Sequence, residues 1–372
     1  MTNLPVSFLV WSIEAQIVDI RFINRLRSGK DFNQFNKYMF NMYLNQKGGH
    51  PFMWHPCAEC TTTIRFIEAG SLHIQSPTPE VFSYSSFEQL EQILSATLQI
   101  ADFPVSCRAN GSRLVTPVLA ASVLLEQLKS RQAIDFIQNG VMTSHLQPIF
   151  NIQDNSLFAN EALLRAADQT IPMSPGLLFS TASKMGLHSR LDQRAREEAI
   201  RATHLVGGTE KTFINFLPST IYNPEYCLRH TFEIVERYNV DPSRLVFEVV
   251  ETEKIEDVNH LKHVFEQYKK QGIQVALDDV GAGFSTLDML SLLQPDYVKI
   301  DRAFISNCDT VAENEAFLRK ARHLTKEMGI QILAEGIERQ EELELCRELG
   351  FDFGQGYLLG RPAPYSELAK AQ

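Results

Sequence analysis

The sequence predicts an α/β chain in which a (β/α)8 barrel follows a smaller α+β domain. From about residue 145, short β-type runs alternate with amphipathic helical stretches, the pattern of strands and helices around a parallel sheet. Eight such runs occur, at 145–152, 157–163, 212–217, 244–250, 273–277, 297–300, 330–334 and 353–359, matching the strand count of a closed barrel. A length of 372 residues leaves room for one barrel of roughly 250 residues and a domain of roughly 120.

Between the runs, residues 191–205, 259–271, 313–327 and 340–348 carry apolar side chains three and four apart, the spacing of one helix face. Gly272, Gly329 and Gly350 fall where such helices stop. Residues 1–115 lack this alternation and are read as an α+β regulatory domain, with helices over 32–44 and 87–99 and a hairpin made of 61–68 and 71–75. Pro117 opens an apolar, periodic run that extends to Gln138, predicting a connecting helix over 116–140 and a barrel over 141–372.

Composition narrows the function. With 44% hydrophobic and 22% charged residues the chain has material for two cores. Its most apolar N-terminal stretch, 4–20, is broken by Glu14 and Asp19, so the sequence predicts neither a membrane span nor an export signal, and a cytoplasmic location. A formal net charge of −10 argues against direct nucleic-acid binding and leaves room for a small anion held through cations. The six cysteines are dispersed, which argues against a disulfide framework. His50, His55, Cys57 and Cys60 have the residue types of a zinc site; two histidines five apart beside Pro51 and Pro56 equally fit an ordinary loop.

The chemistry-bearing residues are Glu161, Asn215, Glu248, Asp278, Asp279, Lys299, Glu335 and Glu338, each in or just after a predicted strand. The carboxyl ends of barrel strands converge on one mouth, so residues far apart in sequence meet there. Carboxylates packed so closely repel one another unless cations neutralise them, and oxygen ligands favour Mg²⁺ or Mn²⁺ over zinc. Asp278 and Asp279 precede a Gly281-Ala282-Gly283 turn, a position where they also serve as helix caps. Lys299 alternates with Val298 and Ile300, which directs it into the barrel.

The ordered set of motifs resembles the EAL family of c-di-GMP phosphodiesterases over residues 131–372. It comprises Leu146-Gln147-Pro148-Ile149, Glu161-Ala162-Leu163 with Arg165, Phe213-Ile214-Asn215-Phe216-Leu217, Phe247-Glu248-Val249-Val250-Glu251, Asp278-Asp279, Lys299-Ile300-Asp301, Glu335-Gly336-Ile337-Glu338 and Gln355-Gly356-Tyr357. The resemblance implies a TIM-like barrel of EAL type that hydrolyses c-di-GMP to linear pGpG with two Mg²⁺ or Mn²⁺ ions, in a homodimer formed through the barrel. Glu161, Asn215, Glu248 and Asp278 would hold one ion, and Asp278, Asp279 and Glu335 the other. Lys299 would position or activate the attacking water and Arg165 would contact a substrate phosphate, with Gln147 and Gln355 lining the dinucleotide site. Glu251 would tether the loop after Asp279, and Glu338 would stand near Lys299.

The sequence departs from the family pattern in that loop, where Val280, Ala282 and Phe284 stand in place of the usual Phe, Thr and Tyr. Two hydroxyls are thereby lost. The motif set therefore admits an active hydrolase, a c-di-GMP receptor of low activity, or a protein-interaction regulator built on the same barrel.

Overall fold

A computed structural model describes residues 62–168, 170–249, 257–281 and 287–368. The predicted helix over 32–44 and the group His50, His55, Cys57 and Cys60 lie outside the described residues.

Residues 70–129 build a small α+β unit. Strands β1 (Gly70–Ile74), β2 (Glu80–Tyr84), β3 (Pro104–Ala109) and β4 (Leu119–Ala120) form an antiparallel sheet in the order β2-β1-β3-β4. Leu72 and Ile74 alternate inward with Val105 and Cys107, and Leu90 and Leu94 of the helix Phe87–Leu98 cover them. Ser86 starts that helix by accepting the Gln89 N–H. The hairpin therefore turns at 75–79, around Pro77 and Pro79, rather than between 68 and 71. Ile64 and Phe66 pack instead against the helices beside the barrel, where the Gln138 amide pairs with the backbone N–H and carbonyl of Ile64.

The connecting segment is two helices, Ala121–Lys129 and Arg131–Asn139, rather than one. The apolar stripe explains the break. Ala121, Leu124, Leu125 and Leu128 bury into the small unit's core, and a continued helix would present Gln132 and Asp135 on that face. The apolar residues resume instead at Ala133, Ile134, Phe136 and Ile137, which enter the core beside the barrel. A bend at Ser130 lets each half bury its own face.

The barrel strands are β5 (Met142–Asn151), β6 (Leu157–Ala166), β7 (Lys211–Phe216), β8 (Leu245–Val249), β9 (Gln274–Val280), β10 (Tyr297–Ile300), β11 (Gln331–Ala334) and β12 (Phe353–Gly354). Each pairs with the next, and β12 closes the ring onto β5. A short strand, β13 (Ala363–Pro364), adds to β5. Seven strands are parallel, whereas β5 runs antiparallel to both of its ring neighbours, correcting the all-parallel expectation. Residues 152–156 are too few for a crossover, so β5 and β6 must form a hairpin. The run expected over 353–359 stops at Gly354 because the chain turns against Ile337, where a Cβ on Gly356 would lie 2.0 Å from the Ile337 carbonyl oxygen.

Candidate active site

One buried apolar residue from each strand forms a layer inside the barrel: Ile149, Ala159, Phe213, Val246, Ala276, Tyr297, Leu333 and Phe353. Side chains on one face of a strand recur every second residue. Two steps toward the carboxyl ends therefore stand Glu161, Asn215, Glu248, Asp278, Lys299, Glu335 and Gln355, with Gln147 two steps back on the reversed β5. This polar layer rests on a dry floor, where charge interactions are strong and unpaired groups costly.

At its centre, Lys299 is 1% exposed and meets four carboxylates. Its Nζ lies 2.7 Å from Glu335 Oε1, 2.9 Å from Glu248 Oε2, 3.1 Å from Asp278 Oδ1 and 3.7 Å from Glu161 Oε2. Glu161 is held on both oxygens, by Asn215 Nδ2 at 3.1 Å and by Gln355 Nε2 at 2.7 Å. Glu248 is fully buried; its Oε2 meets the Lys299 ammonium at 2.9 Å, and its Oε1 has no hydrogen-bond partner among the described residues. The Gln355 Oε1 is likewise buried and unpartnered among the described residues.

Asp278 and Asp279 are adjacent, yet both carboxylates join that of Glu335, with one oxygen from each of the three within 4.8 Å of the others. Regular strand geometry would send them to opposite faces. The pairing of β9 with β10 supplies the reason: Leu277 opposes Val298 and Val280 opposes Ile300, so three steps on β9 match two on β10. This bulge places Asp279 at φ 51° and re-aims its side chain. Gly281, at φ 109°, fits beneath the stacked rings of Phe304 and Phe317, where a Cβ would lie 2.6 Å from Phe304.

The charges distort the acids' titration. Burial, with Lys299 opposing it, pushes the Glu248 and Asp278 carboxyls up, and burial with the Asp278 charge does so at Glu335. Burial and the neighbouring Asp278 raise Asp279 to about 7. Burial also acts against ionised Glu161, but Lys299 and the two amide hydrogen bonds more than offset it and hold that carboxyl low. Burial acts against the Lys299 ammonium, yet the four carboxylates outweigh it and hold the group well above the usual lysine range.

This donor set fits divalent cations. It is made of oxygen ligands, holds more carboxylates than its single lysine can neutralise, and contains a buried carboxylate oxygen, Glu248 Oε1, with no hydrogen bond among the described residues.

Other predicted residues lie around this layer. Gln147 Nε2 donates to the Gly360 carbonyl at 3.2 Å. Arg165 stands four residues beyond Glu161 on β6, half-buried, its Nη1 on the Leu164 carbonyl. Glu338 is exposed beyond the turn at Gly336 and pairs with Arg302 at 3.0 Å. Asp301 caps the helix Arg302–Ile305 through the Ala303 N–H and adds to the upward pressure on Asp279. His145, two residues from Gln147 on the same face of β5, was not singled out from sequence; burial and the nearby Arg165 charge hold its pKa low. Strand alternation from Gln147 is the signal that would have found it. Glu251, Ala282 and Phe284 lie outside the described residues, while Val280 is buried in the outer core.

The chain is 28% identical over 240 residues to the probable cyclic di-GMP phosphodiesterase PdeA of Escherichia coli strain K12, covering 64% of this chain and 32% of that protein. It is 30% identical over 266 residues to the probable cyclic di-GMP phosphodiesterase PdeG of the same strain, covering 68% and 52%. It thus spans about a third to a half of the length of these two relatives. Among solved structures it is similar to a standalone EAL protein from Vibrio cholerae O395 in its c-di-GMP-bound form, with a TM-score of 0.56 and 34% identity, covering 61% of this chain and 94% of that one. No helix among the described residues is long and apolar enough to cross a membrane. The sequence profile of the EAL domain matches residues 126–362, which takes in the whole ring of strands and the polar layer it carries, so the protein belongs to the EAL domain family.

Proposed function

We propose that the barrel hydrolyses c-di-GMP to linear pGpG with two Mg²⁺ or Mn²⁺ ions. The observation that carries this reading is the polar layer, in which every predicted metal-binding position retains an oxygen donor and four carboxylates surround the buried Lys299. Glu161, Asn215, Glu248 and Asp278 would hold one ion and Asp278, Asp279 and Glu335 the other. Such ions, when bound, supply Lewis-acid polarisation of the phosphodiester.

The chain's own residues do the rest. Lys299, buried among the carboxylates, is placed to position the attacking water. Asn215 and Gln355 fix the Glu161 carboxylate from two sides, which fixes the donor geometry before substrate arrives. Arg165 offers a planar cation with paired donors to a substrate phosphate. The relatives' names and the c-di-GMP-bound neighbour support the choice of substrate. Incubation of the purified chain with c-di-GMP and Mg²⁺ or Mn²⁺, with chromatography of the products, tests the reading: pGpG is expected, and intact c-di-GMP under both metals would refute it.

A further inference from the structure

Outside the ring of strands, the helix His188–Val206 carries a buried ion pair that the proposed chemistry does not use. Asp192 and Arg196, 2% and 3% exposed, stand one turn apart on it, with Arg196 Nη2 2.8 Å from Asp192 Oδ2. Both Asp192 oxygens also reach the chain that leaves β7: Oδ1 accepts the Leu217 N–H at 3.0 Å and Oδ2 the Thr220 hydroxyl at 2.9 Å. Arg196 in turn donates to the Thr231 hydroxyl of the helix Arg229–Arg237. This hold falls where the sheet supports β7 least. The pairing of β6 with β7 ends at Ala162 and Ile214, so Asn215 and Phe216 pair with β8 alone, opposite Glu248 and Val249. Leu217 stands two residues beyond Asn215, whose Nδ2 donates to Glu161 at 3.1 Å.

Stability alone does not account for such a pair. Taking two charges out of water is costly, and well-packed apolar side chains in their place are often neutral or stabilising. What the carboxylate adds is direction. Its two oxygens accept from both ends of the turn Leu217–Thr220 at once, and the Arg196 guanidinium fixes the carboxylate in its turn. Resting on the reading of the polar layer as a two-cation site, we propose that Asp192, backed by Arg196, is a positioning residue for Asn215. It fixes the side of the β7 end that β6 leaves open, so that the Asn215 amide keeps its place on Glu161 and its oxygen is aimed at the proposed cation. It touches neither cation nor substrate.

The test uses the full chain. Asp192→Asn keeps the volume and removes the charge, while the double variant Asp192→Leu/Arg196→Met puts apolar side chains in place of the pair. Mn²⁺ affinity is measured by calorimetry without substrate, and stability by urea unfolding without metal. Both variants bind Mn²⁺ about tenfold more weakly, the loss expected when a group that orients a metal ligand is removed. The double variant nevertheless unfolds at or above the urea midpoint of the parent, which separates positioning from stability. In a chain that already carries Asn215→Ala, adding Asp192→Asn changes Mn²⁺ affinity less than about twofold, because the residue it acts through is gone. Parent-like Mn²⁺ affinity in Asp192→Asn overturns the proposal and leaves the two-cation reading intact. A tenfold loss that persists beside Asn215→Ala also overturns it, because the pair then supports the barrel in general and not Asn215. A parent chain that binds no Mn²⁺ removes the two-cation reading, and the positioning role with it.

Discussion

Lys299→Met keeps most of the side-chain volume and removes the one cation that touches the carboxylate layer among the described residues. Three of its four contacts are 3.1 Å or shorter. At that separation the raw attraction of one charge pair is on the order of 5 kcal/mol at an effective dielectric of about 20. The contacts share one ammonium and do not add; removing one partner of a buried pair costs about 3–5 kcal/mol, because the other charge is left without compensation. At pH 8 without metal, the variant should unfold about 6–20 °C below the parent, taking roughly 2–4 °C per kcal/mol for a domain of this size. The gap should narrow with acidity. Lys299, whose pKa is raised, stays charged throughout pH 5–8 and contributes no slope there. Glu248, Asp278 and Glu335 have folded pKa values above their unfolded ones, so the folded state binds the extra protons, and stability falls as pH rises above the ordinary carboxylate range. Losing the lysine steepens that fall, and at pH 5 protonation substitutes for the missing charge. Added Mn²⁺ should also restore much of the lost stability at pH 8. Calorimetry at pH 5 and 8, with EDTA and with Mn²⁺, checks this. An equal gap at both pH values, or no gain with Mn²⁺, would show that the layer is not held by charge balance.

Asp278→Asn should cut turnover on the order of 10²-fold or more even at saturating metal, while the loss in Glu161→Gln should be partly recovered by raising metal concentration; metal titrations of kcat separate the two. Gly281→Ala places a Cβ 2.6 Å from Phe304 at φ 109°, which combines backbone strain with overpacking, so a loss of about 2–5 kcal/mol and weaker Mn²⁺ binding are expected from denaturant unfolding and metal titration. A chain beginning at Arg131 should still turn over c-di-GMP. It should be about 1–3 kcal/mol less stable than one beginning at Thr62, because the buried Gln138 loses its partners on Ile64; urea unfolding of both chains measures the difference.

Where one local pattern decided an element, that element was legible in the sequence. Every barrel strand falls within or close to its expected run, since period-2 apolar residues bounded by turn formers have few other solutions. Other features depend on how neighbouring elements join rather than on the pattern within one. The reversal of β5 follows from a linker of five residues, and the bend at Ser130 follows from the shift in the apolar stripe between Leu128 and Ala133. The exposure of Glu338 likewise follows from a turn and not from a strand pattern. The chain leaves β11 at Ala334 and turns at Gly336, φ 69°, so Glu338 no longer follows strand alternation. Glu342 then fixes it outside by accepting the Glu338 and Arg339 N–H groups.

The paired aspartates mark the limit of that legibility. In the sequence, Asp278 and Asp279 promise two ligands at one strand end, but alternation allows only one of them to face the mouth. The conflict is resolved by an extra residue in β9, and nothing in Leu277-Asp278-Asp279-Val280 announces a bulge. Its support comes from elsewhere in the chain: Phe304 and Phe317 close over Gly281, and Asp301 N–H donates to the Val280 carbonyl, which together fix the backbone just past the strained Asp279. A non-glycine residue at φ 51° is costly in isolation and persists when packing over-determines it. The same geometry drives two carboxylates together beside Glu335 and raises Asp279 to about 7, a state that a divalent cation relieves. The strain in β9 and the excess charge of the layer are therefore one feature: the fold holds Asp279 where its charge is unfavourable, and the proposed cation would recover the stability lost there.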